Sequence, residues 1–445
     1  MNRWMKSLWN VGRPLLAVFL VVALFAVVDV AMHGNNARFV SKENLQAITF
    51  HGASVAICSL GMLLVIIAGG IDLSAGVALA LCATILAWGI REDVGFMLAH
   101  GSNVPGAMAK LKSAADELEE TKTAGNSAQI KQAQAELDRR RQTLAEMMEI
   151  KLGQLQAIAK NAAESKSVSE TELARLDTKV SELSSGLATM RDLNSPPPTD
   201  PAWLQSLPNA ASSGWLAVLM AVVAGMLCGF FNGLLIVFLR VVPFIATLGT
   251  MTIYLGLALI VADETSIRPT IMQRPEWLAE LSVNRPDPSW LVVSKAVWLA
   301  LIISALIACL LRYTVFGRYV FALGSNESTA RLCGINVPLV KISIYTLAGL
   351  LVGIASTCFF ARLNNGSPTA GTGMELKFIA AVVIGGGSLS GGRGTVLGTL
   401  AGTVIMGVID SGGNLVGLKN PMQYIVLGAI IVAAVAIDQF RQQRN

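Results

Sequence analysis

Charged side chains are scarce in this chain of 445 residues. Only 14% of the residues are Asp, Glu, Lys or Arg, whereas 53% are hydrophobic and the mean hydropathy is +0.58. Soluble domains carry roughly 25% charged residues. The deficit excludes an ordinary soluble domain and indicates an integral membrane protein.

Signals for catalysis, metal binding and nucleotide binding are also missing. The chain has three histidines and six cysteines, and no Cys-x-x-Cys or Cys/His spacing indicates a zinc site or a disulfide framework. Without a G-x-x-x-x-G-K-[ST] loop, the segment LSGGRG at Leu389–Gly394 does not indicate ATP binding by the chain itself. Basic residues lie at the ends of apolar runs, which argues against nucleic acid as a partner. We expect no catalytic residue, no metal and no cofactor.

Long apolar runs dominate the sequence instead. A spanning helix needs about 20 mostly apolar residues, so we predict an all-α membrane protein with about ten transmembrane helices in contact with lipid. The predicted spans are 14–32, 48–69, 73–90, 214–239, 243–262, 294–312, 338–361, 375–388, 394–412 and 421–438. Lys and Arg near span ends favour the cytoplasmic side, which places both termini in the cytoplasm.

One hydrophilic segment, residues 91–212, divides these spans into an N-terminal group at 1–90 and a larger group at 213–445. Apolar residues from Leu173 to Met190 are spaced 3-4-3-4-3, which is typical of a coiled-coil seam. We predict a periplasmic antiparallel hairpin of two helices, 110–163 and 168–191, followed by a stiff Pro-rich linker. The segment is either a solvated spacer or an arm that binds a partner.

Seven polar side chains lie within or beside the apolar runs. Ionisable groups at membrane depth are expensive in lipid and often mark a pathway. The candidates for a translocation pathway are Asp72, Ser74, Asn232, Thr247, Thr250, Asp410 and Asn414. Each also has a plainer interpretation, because Asp72 and Ser74 could cap a helix and the others could join neighbouring helices. The Gly-rich segment around Asp72, residues 68–76, also resembles residues 384–392, which suggests a weak internal repeat.

A polar loop at residues 313–340 separates two later spans. Its E-x-x-A-R-x-x-G spacing favours a short cytoplasmic helix that could sit in a groove of a partner and pass motion to the bundle. The candidate coupling residues are Gly317, Arg318, Gly324, Asn326, Glu327, Ala330, Arg331 and Gly334. An ordinary basic loop held at lipid headgroups is the alternative.

Five segments in order resemble the membrane permeases of bacterial sugar ABC importers, with ribose, xylose and galactoside permeases nearest. They are GGIDLSAG, VPFIATLGTM, GRYVFALGSNESTARLCGINV, GSPTAGTGMELKFIAAVVIGGGSLSGGRGTVLGTLAGTVIMGVID and the C-terminal span. The resemblance covers nearly all of the chain outside residues 91–212, where family members usually have a short loop.

The resemblance implies a permease subunit of the bacterial inner membrane that performs no covalent chemistry. Such a subunit forms a homodimer or heterodimer, receives a monosaccharide from a periplasmic binding protein and docks a cytoplasmic ABC ATPase. By the same likeness Glu327, Ala330, Arg331 and Gly334 belong to the coupling helix, and Asp72 belongs to a pore-proximal motif. Three alternatives stay open: a gradient-driven secondary transporter, a permease for another small polar solute, and a membrane scaffold.

Overall fold

The structure is a computed structural model that describes residues 3–34, 37–165, 170–192, 211–270, 273–281, 293–417 and parts of 421–436. Within these ranges the chain forms helices and no β-strand. The helices are α1 (Arg3–His33), α2 (Lys42–Ile67), α3 (Ala75–Arg91), α4 (Val94–His100), α5 (Val104–Ala124), α6 (Ser127–Ser165), α7 (Glu170–Arg191), α8 (Ala211–Phe238), α9 (Pro243–Val261), α10 (Glu276–Glu280), α11 (Lys295–Tyr313), α12 (Val315–Ser325), α13 (Glu327–Leu332), α14 (Val337–Leu363), α15 (Met374–Ile384) and α16 (Val396–Leu415).

Seven helices among the described residues are long and apolar enough to cross a membrane: α1, α2, α8, α9, α11, α14 and α16. An eighth span results if α3 and α4 are counted as one broken helix. The all-α membrane fold is therefore confirmed, with fewer full-length spans than the ten predicted. The span expected at 375–388 is the eleven-residue α15, whose length of about 16 Å is roughly half the hydrocarbon thickness. The span expected at 421–438 lies partly outside the described residues.

The chain forms two compact units. The first contains residues 1–88, 218–268 and 276–445, and the second contains residues 89–217 and 269–275. The second unit contains the hydrophilic segment and also the short stretch 269–275, and the periplasmic location of the segment stays a prediction.

Glycines allow the helices of the first unit to approach closely. On α8, an added Cβ at Gly229 would lie 2.0 Å from the carbonyl oxygen of Tyr345 on α14. An added Cβ at Gly349 on α14 would lie 2.2 Å from the carbonyl oxygen of Gly225 on α8, and Gly402 of α16 meets α15 at similar range. Backbones at this distance leave no room for a larger side chain, which explains the i, i+4 spacing of glycines.

The second unit contains three long helices rather than the predicted two-helix hairpin. Gly125 ends α5 in the left-handed conformation, with φ +75°, so the arm expected at 110–163 is two helices, α5 and α6. A glycine with positive φ is a common end of a helix. Helix α6 packs against both α5 and α7, and it continues to Ser165, into the predicted turn region. The rest of that turn, 166–169, and the Pro-rich linker lie outside the described residues.

The predicted apolar seam forms the core of this unit. Leu144 on α6 and Leu183, Leu187 and Met190 on α7 are buried together with apolar residues of α5. The seven-residue period therefore predicted the inward face of these helices, although not the number of helices.

Arg141 joins α6 to the carboxyl end of α7. Its side chain is buried, and its Nε donates to the carbonyl oxygen of Met190 at 2.9 Å. Its Nη2 donates to the carbonyl oxygens of Thr189 at 2.8 Å and Asp192 at 2.6 Å. Carbonyls at a helix end have no partner within the helix, so one guanidinium satisfies three of them.

A buried polar cluster brings the two ends of this unit together. The carboxylate of Asp93 pairs with Nζ of Lys151 and accepts a hydrogen bond from the hydroxyl of Ser213. Oγ of Ser213 also accepts from the backbone N–H of Gly95 at 2.9 Å, and Nζ of Lys151 lies 4.4 Å from the centroid of the Phe96 ring. Burial lowers the pKa of Lys151, although the charge of Asp93 acts in the opposite direction.

Candidate translocation cavity and coupling elbow

A polar cavity of about 630 Å³ lies in the first unit. The amino half of α2, the carboxyl ends of α14 and α16 and the amino end of α15 surround it. Its polar lining residues are Asn44, His51, Arg362, Thr372, Lys377, Thr403, Asp410, Ser411, Asn414 and Gln423. The volume falls within the range of roughly 300–1,000 Å³ that is usual for small-molecule sites.

Two of the predicted pathway residues, Asp410 and Asn414, line this cavity. Oδ2 of Asp410 on α16 pairs with Nζ of Lys377 on α15 at 2.7 Å, and Oδ1 of Asn414 accepts from Nε2 of Gln423 at 2.8 Å. The hydroxyl of Ser411 donates to Oδ1 of Asn44 at 2.8 Å, which connects α16 to α2. Charged, amide and hydroxyl groups from three helices thus converge on one space.

The other five predicted pathway residues lie outside the cavity lining, and Asp72, Ser74 and Asn232 form a buried network. Oδ1 of Asp72 accepts from the backbone N–H and the hydroxyl of Ser74, at 2.9 and 2.6 Å. Nδ2 of Asn232 on α8 donates to Oγ of Ser74 at 2.8 Å. The bond from the backbone N–H of Ser74 forms an Asx turn that leads into α3, and among the described residues no amide within α3 donates to Asp72. A pathway role for Asp72 stays a prediction.

Helix α9 joins the same network through Thr247 and Tyr254. Oγ1 of Thr247 accepts from the backbone N–H of Leu73 at 3.1 Å, and the hydroxyl of Tyr254 donates to Oδ1 of Asn232 at 3.1 Å. The hydroxyl of Thr250 donates to the carbonyl oxygen of Thr247 within α9, at 3.2 Å. Sequence reasoning missed Tyr254, although its i, i+7 spacing from Thr247 places both on one helix face.

The predicted coupling segment consists of two short helices, α12 and α13, which we call the elbow. Oδ1 of Asn326 caps α13 by accepting from the backbone N–H of Thr329 at 2.9 Å. Glu327 pairs with Nζ of Lys341 at 2.8 Å and with Arg331 at 3.5 Å. The elbow therefore presents a charged, capped helical turn.

The eight candidate coupling residues divide into packed and exposed positions. Gly317 and Ala330 are buried, whereas Arg318 and Arg331 are exposed. Gly334 follows the end of α13 with φ +80°. The exposed basic side chains are available to a partner, and the small residues allow the elbow to pack against the bundle.

Gly324 is the point where the elbow meets the bundle backbone to backbone. An added Cβ at Gly324 would lie 1.6 Å from the carbonyl oxygen of Ile67 and 2.7 Å from the backbone nitrogen of Gly392. The N–H of Gly392 donates to that same Ile67 carbonyl at 2.8 Å. An added Cβ at Gly391 would lie 2.6 Å from the carbonyl oxygen of Gly324. We call Ile67, Gly324, Gly391 and Gly392 the glycine junction.

Sequence reasoning did not predict that the LSGGRG segment, which contains Gly391 and Gly392, contacts the elbow. The one sequence feature that pointed to this segment was its resemblance to the residues that follow α2. Both α2 and α15 end in a glycine with positive φ, Gly69 at +82° and Gly386 at +89°. The N–H of the following residue donates to a carbonyl oxygen five residues earlier: Gly70 to Val65 at 2.9 Å, and Gly387 to Val382 at 2.8 Å. This shared turn geometry is shifted by one residue from the sequence match.

The glycine junction and the cavity lie at opposite ends of the same helices. Helix α2 reaches the junction at Ile67 and the cavity at Val55, twelve residues earlier, which is about 18 Å along a helix. Helix α16 begins at Val396, shortly after the junction, and lines the cavity from Thr403 onward, about 10 Å further along the helix. A displacement at the junction would therefore act on helices that line the cavity.

A helical bundle with a polar cavity at one end of its helices and an exposed elbow at the other defines a multi-pass transport protein. Residues 186–435, more than half of the chain, match the family described as "Branched-chain amino acid transport system / permease component". The chain belongs to this family of transporter permeases, which confirms the resemblance to ABC importer permeases.

Several curated proteins are similar to the chain. The ribose import permease protein RbsC of Escherichia coli (strain K12) is 38% identical over 227 residues, which cover 51% of this chain and 70% of that protein. The fructose import permease protein FrcC of Rhizobium meliloti is 37% identical over 230 residues, covering 51% of this chain and 62% of that protein. The L-arabinose ABC transporter permease protein AraH of Azospirillum brasilense is 35% identical over 240 residues, covering 54% and 68%. No solved structure matches the chain.

Proposed function

We propose that the chain is the membrane permease subunit of an ATP-driven importer for a monosaccharide. It forms the translocation pathway and couples to a separate ABC ATPase. The observation that carries this proposal is that α2 connects an exposed elbow, which meets it at Ile67, with a cavity that is large enough for a monosaccharide and carries polar lining groups. The relatives are permeases for ribose, fructose and arabinose, and they supply the class of solute.

The cavity provides the groups that bind sugar hydroxyls. Asp410 and the side-chain oxygens of Asn44 and Asn414 accept hydrogen bonds, while Lys377 and Ser411 donate them. Amides and hydroxyls that bond one another across the cavity can exchange those partners for a solute with little loss, because each group keeps a hydrogen bond. The buried network around Asp72 then supports the start of α3 beside the pathway.

The ATPase docks on the elbow from the cytoplasmic side. Glu327 holds Arg331 and Lys341 in place, which fixes the shape of the docking turn. Motion of α13 passes through Gly324 to the ends of α2 and the segment before α16. The sugar-binding protein docks at the opposite membrane surface, and a second permease chain, identical or different, completes the pathway in the bacterial inner membrane with both termini of this chain cytoplasmic.

Charge reversal in the elbow tests this coupling. Glu327→Lys should abolish ATP-dependent uptake of radiolabelled sugar in proteoliposomes that contain the ATPase and the binding protein. It should leave helix content unchanged by circular dichroism. Glu276→Lys, at an exposed position on α10, is the matched control and should transport normally. Full ATP-dependent uptake by the Glu327 variant would contradict the coupling role, and uptake driven by an ion gradient without ATP would favour a secondary transporter.

A further inference from the structure

We propose that the cavity selects a monosaccharide that carries a carboxylate, so that the preferred solute is a sugar acid rather than a neutral sugar. This inference rests on the proposed transport function and concerns the same cavity. The observation that carries it is a net positive charge in the cavity wall, together with a buried Nε of Arg362 that has no hydrogen-bond partner among the described residues.

The charges that face the cavity do not cancel. Among its described lining residues, Arg362, Lys377 and His51 are basic and Asp410 is acidic. Lys377 and Asp410 neutralise each other at 2.7 Å. The other acidic side chain of α15, that of Glu375, does not line the cavity, because its Oε2 lies against Gly76. One full positive charge therefore remains among these described residues.

Arg362 itself is held ready for a ligand. It lies in the last turn of α14, and its Cζ is 5.0 Å from the centroid of the Phe359 ring. Its Nε is buried and has no hydrogen-bond partner among the described residues. Asp410 is the acidic side chain whose charge acts on Arg362, and it already pairs with Lys377. A buried donor without a partner is unfavourable, so a carboxylate from outside the chain would satisfy Nε.

The chemistry of that partner follows from the shape of the guanidinium. Its planar fork of N–H groups binds a carboxylate through two parallel hydrogen bonds. The amide and hydroxyl groups of Asn44, Ser411 and Asn414 lie in the same lining and suit sugar hydroxyls. A phosphate of an anionic lipid headgroup offers similar chemistry at Arg362, but it would leave these sugar-binding groups unused.

A matched pair of sugars tests the inference. D-galacturonate and D-galactose share the pyranose ring and its hydroxyl stereochemistry and differ in the group at C6, which is a carboxylate in one and a primary alcohol in the other. Binding of each radiolabelled sugar is measured by equilibrium dialysis to the full-length permease in nanodiscs of phosphatidylcholine alone. We expect the wild type to bind galacturonate about tenfold or more tightly than galactose, since hydrogen bonds to a charged group contribute more than neutral ones. Arg362→Gln should remove this preference, so that the two sugars bind with similar affinity, while Arg312→Gln, at an exposed position on α11, should keep it.

Equal affinity of the wild-type protein for the two sugars would overturn the inference without any variant, and the sugar-permease function would survive. A galacturonate preference that persists in Arg362→Gln would also overturn it. Loss of the preference when phosphatidylglycerol is added to the nanodisc would assign Arg362 to a lipid headgroup instead. Binding of neither sugar would overturn the inference and count against the proposed function as well.

Discussion

Substitution of Gly324 by alanine tests the glycine junction as the route from the elbow to the cavity. The new Cβ would lie 1.6 Å from the carbonyl oxygen of Ile67, whereas real Cβ contacts are essentially never under 3.0 Å. One of the two backbones must therefore move by at least about 1.4 Å, the difference between these distances. Overpacking of this kind costs about 1–3 kcal/mol, and rupture of the bond between Gly392 and Ile67 adds about 1 kcal/mol. The better helix propensity of alanine offsets about 1 kcal/mol, so we expect a net destabilisation of about 1–3 kcal/mol.

The displacement should harm coupling more than stability. We expect Gly324→Ala to lower the sugar imported per ATP hydrolysed, measured in proteoliposomes with the ATPase and binding protein, because the elbow no longer seats on α2. The control is Gly256→Ala on α9, where an added Cβ meets nothing within 4 Å. Thermal unfolding in detergent measures the stability of both variants. If Gly324→Ala matched Gly256→Ala in both stability and transport stoichiometry, the junction would carry no motion and the reasoning would be refuted.

Three further predictions concern the second unit. Arg141→Ala should destabilise it by about 3 kcal/mol, because three carbonyls lose a charged donor; chemical denaturation measures this, and Arg139→Ala at an exposed position should have almost no effect. Because the folded pKa of Lys151 is lowered, the unfolded state retains the proton to higher pH. The free energy of unfolding should then rise with pH between the pKa of Lys151 in the folded protein and about 10.5. Lys151→Met should remove this rise. A free energy of unfolding that falls over the same pH range would contradict the prediction. Deletion of residues 100–200 should leave measurable ATP-dependent uptake in a protein that still inserts, whereas complete loss would favour a scaffold.

Apolar runs and glycine spacing predicted the parts of this fold that depend on local pattern. The all-α membrane class follows from hydropathy, and the contacts of Gly229 and Gly349 follow from i, i+4 spacing. The number of full-length spans did not follow, because the Gly-rich turn after Ile384 shortens α15 without changing its hydropathy. The break at Gly125 was missed because a single glycine is tolerated within a helix and ends it only when its φ becomes positive.

The sequence indicated which types of residue form the candidate site, but it did not indicate which of those residues lie together. Asp72 and Asp410 are both carboxylates in Gly-rich segments, and nothing local distinguishes the buried network around Asp72 from the cavity wall around Asp410. Arg362 and Lys377 were passed over because basic residues near span ends are normally orientation signals. Only the packing of α14, α15 and α16 shows that these cations and Asp410 share one space.

The buried polar cluster that contains Asp93, Gly95 and Ser213 has a consequence for how the chain can evolve. Residues 118 positions apart share a direct hydrogen bond, so the polypeptide departs from this spot and returns to it. An inserted segment whose first and last residues lie side by side can become longer or shorter, or be replaced by another segment, without moving the chain on either side. Diversification of this permease outside its helical bundle would therefore concentrate here, where new sequence can be spliced in and tolerated.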